Sequence, residues 1–116
     1  MMTKVMTVFA ALGLAGCATA PIPAYALDRS EASIRGAEEV GAAGVPAAAL
    51  HLQLAKDETE TAKKMATAGD ERAMLVMARA ESDAELALGL AREVTVHTDA
   101  LKATEDLKAI RARGNP

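Results

Sequence analysis

Aromatic side chains are almost missing from this chain: its 116 residues include one Tyr, one Phe and no Trp. Phe9 lies near the N-terminus within an apolar leader, so Tyr25 is the only aromatic residue beyond it. Base stacking, aromatic cages and bulky aromatic cores are excluded on that ground. One cysteine, Cys17, cannot close an intramolecular disulfide. The two histidines, His51 and His97, stand far apart in the chain. A zinc site wants three or four ligands, usually with two close in sequence, so no metal site and no cofactor is expected. Ser30, Ser33 and Ser82 lack a Gly-x-Ser-x-Gly elbow. The carboxylate pairs Glu38-Glu39, Asp57-Glu58 and Asp70-Glu71 are adjacent, so the members of each diverge on a helix and read as solvated faces. No catalytic residue is nominated, and the chain is not expected to be an enzyme. A net charge of −3, with 13 basic against 16 acidic residues, offers no basic face to a nucleic acid.

What is present begins with Lys4 and an apolar run over residues 5–14. That run is too short to span a bilayer, which takes about 20 apolar residues, and it has the length and flanks of a secretory signal. The motif that ends it, Leu14, Ala15, Gly16 and Cys17, resembles the bacterial lipobox. The resemblance implies a signal peptide over residues 1–16, cleavage before Cys17, and lipid attachment at that thiol. Several acyl chains on one cysteine would hold a protein firmly at a membrane, where a single chain holds it only marginally. Ala18 stands where an inner-membrane retention signal would usually place Asp, so the resemblance favours the periplasmic face of the outer membrane. No apolar run after the leader is long enough to span a bilayer, which leaves the lipid as the expected membrane attachment.

Residues 17–28 follow as a tether, its "ATAPIPAYAL" spaced by Pro21 and Pro23 and read as extended. The remaining residues, 29–116, form the expected helical domain. Asp28 and Ser30 are candidate caps, and a first helix is predicted over residues 30–43 with Ile34, Ala37 and Val40 on one face. "GAAGVP" at residues 41–46 stops it with glycines and restarts the chain with a proline suited to a first helical turn. A second helix to about residue 68 is predicted to turn Leu50, Leu54, Thr61 and Met65 inward. Gly69-Asp70 then places a C-cap glycine and an N-cap aspartate back to back. From residue 71 to 113 no strong breaker occurs, although Thr98-Asp99 could recap a fourth helix. Met77, Ala80, Ala84, Ala87, Ala91, Val94, Thr98 and Leu101 step by threes and fours, a heptad seam. Alanine is the best helix former but buries little area, so the facing helix must come unusually near.

These readings give an all-α small bundle in which helices 2 and 3 form an antiparallel hairpin. A shorter N-terminal helix packs on that hairpin, and the C-terminal helix is long. The third helix outruns the second, so Val94, Leu101, Leu107 and Ile110 are left as a possible interaction surface for helix 1, another copy or another protein. The succession of "GAEEVGAAG", "VPAAALHLQLAKDETETAKKMATAGDERA" and "ARAESDAELALGLA" over residues 30–92 resembles the short alanine-rich bacterial lipoproteins of the domain of unknown function 4398 family. The expected function is that of a cell-envelope lipoprotein acting as a helical adaptor or structural module, with a protein partner or self-association through helix surfaces. The alternative is a small periplasmic binding protein that holds an apolar ligand between its helices.

Overall fold

The computed structural model describes residues 21–114, and within them the chain is all-α. Its elements are α1 (Ala24–Glu39), a 3-10 turn (Ala42–Gly44), α2 (Pro46–Thr67) and α3 (Ala73–Arg113). The lipobox residues Leu14, Ala15, Gly16 and Cys17 lie outside the described residues, as do the signal peptide and the first part of the tether. α2 and α3 form the antiparallel hairpin, and α1 packs along both.

Helix α1 starts six residues earlier than the sequence predicts, so residues 24–28 of the expected tether are helical and, among the described residues, only 21–23 of it lie outside the helix. Pro23 occupies the N-cap position in an extended conformation (φ −59°, ψ 138°), and its carbonyl accepts from the N–H groups of Ala26 and Leu27. Neither Asp28 nor Ser30 caps the helix. The early start has a packing cause: Ala26 is buried with Ala62 and Met77, under Ile22, Leu27 and Met74. Burial of that turn outweighs the missing side-chain cap.

The first helix also stops earlier than predicted, at Glu39. Gly41 takes a left-handed φ of 81°, which glycine adopts without a Cβ penalty, and the 3-10 turn leads to Pro46 at the first position of α2. Gly69, at φ 74°, closes α2 in the same way. Asp70 accepts from the N–H of Arg72 and from its guanidinium, and so braces the hairpin turn.

The face of α2 differs from the one predicted. Leu50 and Leu54 point outward, Thr61 is exposed and Met65 is half-buried; Ala48, Leu52, Ala55, Thr59 and Ala62 are buried instead. These recur by fours and threes, a heptad seam of mostly small side chains. They meet Ala73, Met77, Ala80, Ala84, Ala87 and Ala91 of α3, the seam the sequence predicts as far as Ala91. Apart from Leu52, Thr59 and Met77, the facing rows are alanine, whose small side chains let the helix axes approach closely. α1 joins at the same close range: a Cβ added to Gly36 would lie 3.7 Å from the Leu88 side chain.

Two apolar clusters result. One gathers Ala37, Ala42, Ala48, Leu52, Ala87 and Ala91 near the 3-10 turn, and the other gathers Ala26, Ala62 and Met77 near the hairpin turn. Between them the Ser30 and Thr59 hydroxyls, both buried, lie 3.0 Å apart. Thr59 donates its proton to the Ala55 carbonyl at 2.7 Å, so the Ser30 hydroxyl donates to Thr59. One buried polar link thus joins α1 to α2 within a core of small residues.

Candidate docking surface on the C-terminal helix

Helix α3 runs unbroken to Arg113, with no recapping at Thr98-Asp99. Its buried residues end at Ala91, and every described residue from 92 onward is exposed. The free part, residues 92–113, is about 33 Å of helix at 1.5 Å per residue. α2 cannot cover it because α2 begins at Pro46, opposite the last buried turn of α3.

The four residues predicted as an interaction surface are all exposed: Val94 at 47%, Leu101 at 56%, Leu107 at 55% and Ile110 at 63%. They do not form one patch. At 100° per residue, Val94 and Leu101 continue the side of α3 that faces α2, whereas Leu107 and Ile110 lie about 120–180° away from Leu101. Val96, 67% exposed, shares the second face. The heptad seam expected from the sequence reaches Leu101 but not Leu107 or Ile110, and the expected surface does not include Val96.

A shallow cleft sits on each side of the point where α3 leaves the bundle. One, of about 410 Å³, is lined by Val45, Leu90, Val94 and His97 among others. The other, of about 450 Å³, is lined by Val40, Gly41, Arg92, Thr95 and Val96 with Glu39. Both are open grooves. The seam between α2 and α3 is closed, with Ala55, Ala62, Ala80, Ala84 and Ala87 at 0% exposure.

Elsewhere the titratable groups pair between helices. Lys63 of α2 bonds Glu60 at 3.0 Å and Glu31 of α1 at 3.1 Å, which raises its pKa through both hydrogen bonds. Glu38 pairs with Lys56, and Arg29 with Glu81 at 2.5 Å. Asp70 is held at a pKa of about 2 by the Arg72 side chain and backbone N–H. Of the adjacent carboxylates, Glu38 and Asp70 have ion-pair partners while Glu39 and Glu71 stand exposed, and Glu58 departs from the solvated face its spacing predicts because it is drawn in against Arg79.

His51 and His97 are not brought together. His51 Nδ1 lies 2.7 Å from Asp83 Oδ1 across the hairpin, and His97 stands exposed at the first cleft. Beside His51, Glu58 meets the Arg79 guanidinium at 2.7 Å with one carboxylate oxygen, and its other oxygen, Oε2, is buried without a hydrogen-bond partner. Burial pushes the Glu58 pKa up, opposed by Arg79 and reinforced by Asp83. The sequence reading missed this quartet, although Arg79 and Asp83 are four apart on α3 and His51 and Glu58 seven apart on α2. Among the described residues no group of three or more His, Cys, Asp or Glu is placed to hold a metal ion, and no helix is long and apolar enough to cross a membrane.

No family model, curated protein or solved structure matches this chain.

Proposed function

We propose that the chain is a lipid-anchored helical adaptor of the bacterial cell envelope that presents the free end of α3 to a protein partner. The observation that carries this reading is the overhang, about 33 Å of helix with no intramolecular cover and with Val94, Val96, Leu101, Leu107 and Ile110 exposed. Leucine and valine in solvent gain about 1.5–3 kcal/mol each on full burial, and the hairpin supplies nothing to bury them. Attachment to the outer membrane rests on the lipobox resemblance at Leu14, Ala15, Gly16 and Cys17. The closed alanine seam is the reason for preferring an adaptor to a protein that cradles an apolar ligand between helices.

Two measurements test the two halves of the proposal. Cys17→Ser is expected to move the protein from the membrane fraction to the soluble one and to leave the precursor uncut; equal membrane recovery of both forms removes the anchor. For the docking half, a photo-crosslinking residue is placed at Leu107 or Leu101 in cells, with the exposed Leu50 of α2 as the control position. Protein adducts from the overhang and none from Leu50 support docking. Adducts in equal yield from all three positions overturn it.

A further inference from the structure

The outward back of α3 carries a second heptad seam, distinct from the one buried against α2. Leu86, Gly89, Val96, Ala100, Leu107 and Ile110 fall on it with Glu93 and Ala103 between them, in steps of three and four, and all are exposed. On the hairpin this face points away from both packed helices: Gly36 of α1 approaches Leu88, and His51 of α2 approaches Asp83, on the two flanks of it. From Leu86 to Ile110 the row amounts to about three and a half heptads, within the three to four that support a coiled coil.

The residues bordering the row say what covers it. On one border stand Glu85, Arg92, Asp99, Asp106 and Arg113, seven residues apart. In an antiparallel coiled coil the like borders of the two helices face each other, and their charges set register and orientation. With the two-fold axis at residue 98, Arg92 faces Asp106 of the second copy and Glu85 faces Arg113, and symmetry makes each pair twice. Asp99 then meets its own copy as the one like-charge contact. In the same register Leu86 packs on Ile110, Val96 on Ala100, and Leu107 on Gly89. Glu93, the one charge within the row, faces the small Ala103. Sliding by one heptad sets Glu85 against Asp106, or Arg92 against Arg113. A parallel pair would stack Glu93 on Glu93 and offer only Asp106 to Arg111. Among the described residues Arg92, Asp106 and Arg113 have no ion-pair partner in their own chain, while Glu85 lies 3.9 Å from Arg29 of α1, whose closer partner is Glu81 at 2.5 Å.

We infer that the occupant of the overhang is a second copy of this chain, bound antiparallel along the back of α3 with Arg92 on Asp106 and Glu85 on Arg113. The inference rests on the docking role proposed above and names its partner. Two overhangs reaching past each other cover the row that each hairpin leaves bare.

The test uses the full chain purified in detergent and sedimentation over a concentration series. Arg92→Glu is expected to weaken dimerisation about tenfold, since a rim pair of modest strength is reversed twice. Arg92→Glu combined with Asp106→Arg is expected to restore it, because the reversed pair is again complementary. Far-ultraviolet circular dichroism of each variant checks that the helices persist. In a Cys17→Ser background, Asp99→Cys is expected to oxidise to a disulfide dimer and Leu107→Cys is not. A chain that stays monomeric at every concentration overturns the inference. So does a dimer crosslinked through position 107 and not 99, which would be parallel. A monomer whose position 107 captures a different protein in cells also overturns it, while leaving the docking role itself intact.

Discussion

At the scale of single residues the core depends on a few polar atoms because its side chains are so small. Ser30 donates to Thr59, and Thr59 to the Ala55 carbonyl. Thr59→Val removes the acceptor and leaves the Ser30 hydroxyl buried, a loss of about 1–3 kcal/mol. Ser30→Ala removes only the donor and should cost less, and the double variant should recover much of the loss. Chemical denaturation of the four forms as a double-mutant cycle measures this; equal and additive losses would show that the link is not as placed. Glu58 behaves in the opposite sense. Its folded pKa is raised above the ordinary 4.5, so its contribution is present below that value and is lost as pH rises through the folded pKa. Glu58→Gln keeps an oxygen for Arg79 and offers an N–H toward Asp83. It should therefore be more stable than the parent chain at pH 7, with the difference closing below about pH 4.5, the ordinary Glu value. Thermal melts across pH 4–8 read the crossover, and a constant difference over that range would contradict it.

At the scale of elements, what could be read from the sequence was whatever depended on chain direction and small-residue spacing. The stop at Gly41, the restart at Pro46, the Gly69-Asp70 turn and the seam through Met77, Ala80, Ala84, Ala87 and Ala91 all follow from local chemistry. The inward face of α2 did not follow, because the usual rule sends leucines to the core. Here Ala48, Ala55 and Ala62 set the spacing between helices, Leu52 is the one leucine of α2 that is buried with them, and Leu50 and Leu54 fall outside that row. The start of α1 was hidden for a related reason: Ala26 is buried by contacts with Ala62 and Met77, which no local signal reports. Val94, Leu101, Leu107 and Ile110 are legible in the sequence as apolar side chains beyond the reach of α2, but their division between two faces requires the unbroken helix past Thr98-Asp99. The spacing argument has a direct check. Ala84→Leu, at 0% exposure, should overpack the hairpin and cost about 1–3 kcal/mol. The same substitution at the exposed Ala109 should change stability by less than about 0.5 kcal/mol. Equal losses at the two positions, measured by denaturation, would mean that the seam can yield.

At the scale of the whole molecule, one Tyr, one Phe and no Trp leave the chain almost without near-ultraviolet dichroism, while its far-ultraviolet signal should be strongly helical; strand-like bands would contradict the fold. The chain is also unevenly held together. From Ala26 to Ala91 three helices support one another, and from residue 92 one helix stands alone. An isolated helix of this length is marginal in water, because each turn must be maintained without tertiary contacts. A single strand of helix that opens and recloses is what a protease cuts, since cleavage needs the chain extended. Lys102, Lys108 and Arg111 all lie in that segment. Limited trypsin treatment of dilute protein should therefore trim the molecule back toward Arg92 and then stop, leaving the three-helix part whole. Raising the protein concentration should slow that trimming, because a segment paired with its own copy is withdrawn from the enzyme; the lifetime of the C-terminal half would then report how many neighbours of its own kind each molecule has.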